Sequence, residues 1–292
     1  MRYTVSIDFL VRKGGSMLEA INHRELKFIE ILSITMNLFI KNFKEIILVV
    51  AMLFFPISIL NAMIMDKLNS STLIIMKLVE AGGLMQSFPA NSQVFVTFFE
   101  NHILQMMVLL ILEPVGIIAI ARIIKSYLYN EPIQVQQAIG EAMNCIGAII
   151  ITGIPYGILV FLASLCFIFP GIYLGIVWIF YIYAIGLRGV KGWNALAYSK
   201  EITRRKFWKT LLFAMVFSFI SAGWDWAFST VLLMAPENIA TDILYYTLAY
   251  ISGSFAFVGM TVLFMNREAF ILERRYNATE YAADSSVDGD KN

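Results

Sequence analysis

Residues 109–122 read LLILEPVGIIAIAR, an apolar run interrupted only by Glu113 and Pro114 before it closes on Arg122. Followed in both directions, the run extends from near residue 103 to 124, which meets the roughly 20 apolar residues an α-helix needs to cross the hydrocarbon core of a bilayer. Once the segment reads as a membrane span, its carboxyl becomes the anomaly. At about 1.5 Å rise per residue Glu113 sits near the bilayer midplane, where a charge costs at least ~2.5–3.5 kcal/mol. It is therefore expected to face other helices or a wet cavity, and to be a candidate for protonation. Pro114 removes one N–H from the helix ladder, frees a carbonyl one turn earlier and predicts a kink.

The rest of the chain supports the membrane reading. Of its 292 residues 59% are hydrophobic and only 15% charged, with a mean hydropathy of +0.73. Soluble domains average about 45–50% apolar and 25% charged. Six segments are long and apolar enough to span, near 46–65, 103–124, 145–165, 167–187, 208–232 and 242–265. An even number puts both termini on one side. The loops on that side carry 20 of the 22 Lys and Arg residues, and the other side has Lys67 and Lys77 alone. By the positive-inside rule both termini are expected in the cytoplasm of a cell membrane. The basic residues fall in blocks between spans rather than over a soluble face, so nucleic acid is not an expected partner. The lipid bilayer is.

Amphipathic stretches precede the outward-going spans. In residues 26–41, Lys27, Glu30, Ser33, Asn37 and Lys41 recur at helical intervals while Phe28, Ile31, Leu32, Leu38 and Phe39 fill the other faces. The pattern suits a helix lying in the membrane interface and turning near Asn42. IQVQQAIGEAM (133–143) and GWNALAYSKEITRRKFW (192–208) are two further candidates. The fold class expected is all-α integral membrane, with six transmembrane helices as three hairpins, each preceded by a cytoplasmic interfacial amphipathic helix. Residues 1–24 form an N-terminal segment whose first sixteen residues are not expected to be translated, with Met17 as the start. Residues 25–275 form the membrane domain, and 276–292 a polar, acidic tail expected to be disordered. Residues 66–102 are left as a long outer loop, with either a short surface helix or a mobile segment in it.

Cys145 and Cys166 stand near opposite ends of one span, roughly 30 Å apart, and cannot pair. His23 and His102 are isolated, and no spacing suggests a metal site or a cofactor. Gly153 and Gly157, like Gly171 and Gly175, have the small-xxx-small spacing that brings helix backbones close.

The fourth span and its following loop carry Pro170-Gly171-Ile172-Tyr173-Leu174, Trp178, Gly192, Ala195-Leu196, Ser199 and Phe207-Trp208. With the opening IEILSITMNLFIKNFKEIILVVAMLFFP (29–56), these resemble a bacterial family of six-span proteins, some of which form the membrane domain of glycerophosphoryl diester phosphodiesterases. The resemblance spans most of residues 26–275 and implies the six-span fold without the catalytic barrel. Members often carry an acid just after the fourth span, where Arg188 and Gly189 stand here. His23-Arg24 is followed by Glu25, and no catalytic role is expected of it.

A second intramembrane acid, Asp225, lies in SAGWDWAFSTVLL at an estimated depth close to that of Glu113, and the only Lys or Arg within the six spans, Arg122 and Lys209, stand at span ends, away from either acid. Two readings stay open. Glu113 and Asp225, with Asn61 of the first span, could line one outward cavity fit for a proton, a cation or a cationic group. Alternatively, Trp224-Asp225-Trp226 is part of an interfacial aromatic belt and Glu113 a structural group at the proline break. Arg204, Arg205, Lys206 and Lys209 are candidate contacts for anionic lipid, at about 1 kcal/mol each. The function expected is a non-enzymatic accessory, immunity or scaffold component of the envelope, with a membrane or cytoplasmic protein partner; the alternative is a small carrier using Glu113 and Asp225.

Overall fold

The computed structural model describes residues 14–23, 25–80, 92–232, 234–236 and 238–289. Most of the N-terminal segment expected to be untranslated, residues 1–13, lies outside them, as does Arg24. Helices α1 (Gly14–His23) and α2 (Phe28–Lys41) come first. The first span is α3 (Phe43–Val49), a π-helical turn (Val50–Phe54) and α4 (Phe55–Glu80); the second is α5 (Ser92–Met107), a π-helical turn (Val108–Leu112) and α6 (Glu113–Tyr129). After α7 (Val135–Met143) come the third span, α8 (Ile146–Cys166), and the fourth, split into α9 (Ile168–Val177) and α10 (Tyr181–Arg188). Helix α11 (Trp193–Arg204) leads into the fifth span, α12 (Phe207–Leu232), and α13 (Ile239–Gly289) holds the sixth. All six spans have the length and hydropathy to cross a bilayer, which makes this an all-helical, multipass membrane protein.

Helix α2 ends at Asn42, whose side-chain amide donates to the Leu38 carbonyl at 2.8 Å and whose backbone N–H donates to the same oxygen at 3.0 Å. The boundary therefore falls where the sequence pattern places the turn.

One expectation is corrected. Residues 66–80 are not loop but the continuation of α4, and 92–102 belong to α5, which begins at Ser92; 81–91 lie outside the described residues. No Gly or Pro stands between Pro56 and Ala81 to stop the helix, and the polar side chains beyond residue 66 are absorbed by it. Ser71 and Thr72 donate to the carbonyls of Lys67 and Leu68 at 2.8 and 2.7 Å. Helix α13 runs through Gly289.

The two π-helical turns share one cause. Pro56 and Pro114 each follow the start of their turn by six residues. A proline inside an α-helix cannot donate to residue i−4 and crowds its carbonyl. Widening the ladder just ahead relieves this: the N–H of Phe55 donates to Val50 and that of Glu113 to Val108, each five residues back. The carbonyl four residues before Pro114 is that of Leu110, and a Cβ added to Gly153 would lie 3.3 Å from its oxygen. The glycine spacing in the third span thus serves a close approach to the proline break.

The sixth span is the most buried of the six and the fifth the least. Helix α13 packs against α1, α2, α4, α6 and α12. Its small residues allow this: a Cβ at Gly259 would fall 2.3 Å from the Phe217 ring. Fully buried Ser254 and Thr261 hide their hydroxyls on the carbonyls of Tyr250 and Phe257.

Candidate functional site

Two polar constellations lie along α13, one inside the bundle and one at the end that carries the basic loops. In the interior, the Tyr250 hydroxyl donates to Glu113 Oε1 at 2.6 Å and accepts from Asn61 Nδ2 at 2.8 Å. One hydrogen-bonded chain thus ties the first, second and sixth spans together. The Phe54 ring stacks on Tyr250 with centroids 4.5 Å apart and fixes the phenol. Gly116 makes the room, since a Cβ there would sit 2.2 Å from the Phe54 ring. Asn61 is 3% exposed and its Oδ1 has no partner among the described residues.

Asp225 does not join this chain. Its Oδ1 accepts from Ser252 Oγ at 2.8 Å. Ser252 is two residues past Tyr250, about 3 Å along the helix and about 200° around it. The two carboxyls therefore bond to neighbouring positions of α13 but address nearly opposite sides of it. Trp224 and Trp226, flanking Asp225, are exposed on the bundle surface. Sequence reasoning finds both acids and Asn61, but not Tyr250, because a tyrosine in an apolar helix carries no signal until its neighbour is known.

At the basic end, Asn266-Arg267-Glu268 follow one another on α13 and each is buried. Asn266 Oδ1 accepts from the Leu26 N–H at 3.3 Å and its Nδ2 donates to the Ile21 carbonyl at 2.7 Å, which fastens the N-terminal helices to the sixth span. Glu268 takes both arms of Arg188, from Nε at 2.6 Å and from Nη2 at 2.5 Å, and also accepts from the Tyr198 hydroxyl. The pair joins the fourth span to α11 and α13.

Arg267 Nη1 reaches Glu25 Oε1 at 3.4 Å, and the same carboxylate accepts from Lys206 and Lys209 at 2.9 Å each. The Lys209 bond, aided by Lys206 and by the charge of both, holds the Glu25 carboxyl down at about 2, against the opposing effect of partial burial. Around this carboxylate lies a cavity of about 490 Å³. Of the candidate lipid contacts, Arg204, Arg205 and Lys206 line it, joined by Lys200 and Arg267; Lys209 binds Glu25 at its edge. The sequence marks the loop cations but treats Arg267 only as a topology signal, and nothing in it reveals that α13 carries this residue back to the same cavity.

The motif residues of the resemblance serve architecture. Ser199 is fully buried and bridges the break in the fourth span, donating to the Val177 carbonyl at 3.1 Å and accepting from the Phe180 N–H at 3.0 Å. Trp178, 8% exposed, packs between Tyr156 and Trp193. A Cβ on Gly171 would meet Ser164 Oγ at 1.9 Å, so glycine is required where α9 folds back beside α8. Pro170 lies exposed in the first turn of α9. Tyr173 lies 5.3 Å from Phe207, centroid to centroid, and Trp208 is exposed beside Phe207.

Comparisons with protein-family models, curated proteins and solved structures gave no match.

Proposed function

We propose that this chain is a non-enzymatic accessory, immunity or scaffold protein of a bacterial envelope, of the six-span family it resembles, with both termini and the basic end in the cytoplasm. On this reading the spans form three hairpins, supported by the packing of α4 on α5, α8 on α9 and α12 on α13. Helices α2, α7 and α11 then lie in the cytoplasmic interface. Ile29, Met36 and Ile40 of α2 are exposed apolar residues between the terminal lysines of that segment, which suits a helix half-sunk among headgroups.

The observation that carries the reading is the unequal use of charge. Each intramembrane carboxyl is bonded to a hydroxyl of a neighbouring span, which is how polar groups act as glue between helices. The basic end instead gathers five cations around an open cavity, and that is where a partner would be engaged. A carrier is the second reading. It is favoured by the buried, unpartnered Asn61 Oδ1 beside Glu113 and Tyr250, and by the π-helical turns, which often mark functional sites.

Complementation of a deletion strain, scored by sensitivity to envelope stress, separates the two. The accessory reading expects Glu113→Gln to restore growth fully and the double variant Arg204→Gln/Arg205→Gln to fail. The carrier reading expects the reverse, and that result would displace the accessory role.

A further inference from the structure

We infer that the cavity at the basic end is a binding site for a phosphate group, carried by an anionic lipid headgroup or by a free phosphate compound. The inference names the ligand class of the basic face and rests on the proposed engagement there, although the two can fail separately.

Lys200, Arg204, Arg205, Lys206 and Arg267 face the cavity against two carboxylates, Glu25 and Glu201. Glu25 is already shared among Lys206, Lys209 and Arg267. The lining therefore carries five cations against two carboxylates. Its volume of about 490 Å³ lies within the usual range of ligand pockets, about 300–1,000 Å³.

Arg267 supplies the second observation. Its side chain is 6% exposed and lines the cavity, yet Nε has no hydrogen-bond partner among the described residues and Nη1 makes only the long contact to Glu25. Buried guanidinium N–H groups are almost always paired. Arginine's planar fork suits a phosphate through two parallel hydrogen bonds, and the buried helix behind Arg267 holds its guanidinium at the cavity wall. Arg204, Arg205 and Lys200 on the exposed rim would supply the remaining charge. Carboxylate and phosphate differ here, because a tetrahedral group presents oxygens both to the deep fork and to the rim cations.

The rest of the lining bears on the source. Ile202, Phe270 and Ile271 give the cavity an apolar side next to its cations, as the junction of a headgroup and its acyl chains requires.

The test is a titration of the detergent-solubilised full chain with short-chain phosphatidic acid, followed by thermal unfolding and by native mass spectrometry. Parallel titrations use phosphatidylcholine, inorganic phosphate and a fatty acid of the same chain length. Saturable binding of one phosphatidic acid per chain, with a rise in Tm, supports the inference and assigns the lipid source when inorganic phosphate is much weaker. Equal response to inorganic phosphate supports it with a soluble source. Arg204→Gln/Arg205→Gln, which alters only exposed side chains, is expected to weaken binding about tenfold. Arg267→Gln is expected to weaken it further, and Arg267→Lys to restore charge without the fork and recover only part. Absence of saturable phosphate binding, equal binding of the fatty acid, or unchanged affinity in the double variant would overturn the inference. Phosphate binding with unimpaired complementation by the double variant would spare the site and sink the accessory role instead.

Discussion

Helix α13 passes through two settings and solves the burial of polar groups differently in each. Within the bundle, Glu113 is met by one phenol and Asp225 by one serine hydroxyl, and neither has an ion-pair partner among the described residues. Some ten to twenty residues later, Glu268 is met by a bidentate arginine and a tyrosine, and Arg267 shares Glu25 with two lysines. The solvent explains the contrast. A full ion pair in hydrocarbon must repay the desolvation of two charges, whereas a carboxyl with a hydroxyl partner desolvates at most one. At the membrane edge, water and headgroups lower that penalty and charge networks become usable.

The sharpest way to break this comparison is to remove one half of the buried pair at the edge. Arg188→Ala leaves Glu268, 2% exposed, with Tyr198 alone, and is expected to cost about 3 kcal/mol, the low end for a broken buried pair because Arg188 itself is 36% exposed. Thermal unfolding in detergent should show a Tm drop that Glu268→Gln largely reverses in the same background. In the bundle interior the corresponding loss should be smaller. Glu113→Leu takes the acceptor from Tyr250 and is expected to cost about 1 kcal/mol, while Glu113→Gln keeps an acceptor oxygen and should stay within about 0.5 kcal/mol of wild type.

Acid titration sharpens the edge side of the comparison. Because the folded-state carboxyl of Glu25 sits at about 2 rather than its ordinary 4.5, the fold favours its ionised form. Its contribution to stability is fully present above the ordinary value and is lost as pH falls through the folded one. Unfolding followed downward from pH 6 should therefore show a loss that develops below about 4.5, is damped by salt at this partly exposed site, and is absent in Glu25→Gln. The smallest effect is expected at Asp225, since Asp225→Asn keeps the bond from Ser252 and should change stability by less than about 0.5 kcal/mol.

The six spans were legible because hydropathy is a summed property that tolerates local error. Their ends were not. The extension of the first span through Glu80 depends on the absence of a breaker and on serine and threonine hydroxyls turned back onto the helix, while a hydropathy pattern sees only Asp66, Lys67 and Asn69 and stops. Glu113, Asp225 and Asn61 stood out as polar groups in apolar runs. Which of them meet depends on rotation about α13, where two residues separate Tyr250 from Ser252, and single-residue rotation is invisible without the packing. Arg267 and Glu268 were legible as charges but not as partners, because Glu25 and Arg188 come from 242 and 80 residues away.

The functional proposal stands on the placement of the basic end in the cytoplasm, and cysteine accessibility tests that placement directly. In a background with Cys145 and Cys166 replaced by serine, Lys77→Cys should react with a membrane-impermeant thiol reagent in intact cells. Lys200→Cys, on the rim of the basic cavity, should react only after permeabilisation. Labelling of Lys200→Cys in intact cells, with Lys77→Cys protected, would invert the topology and contradict the account.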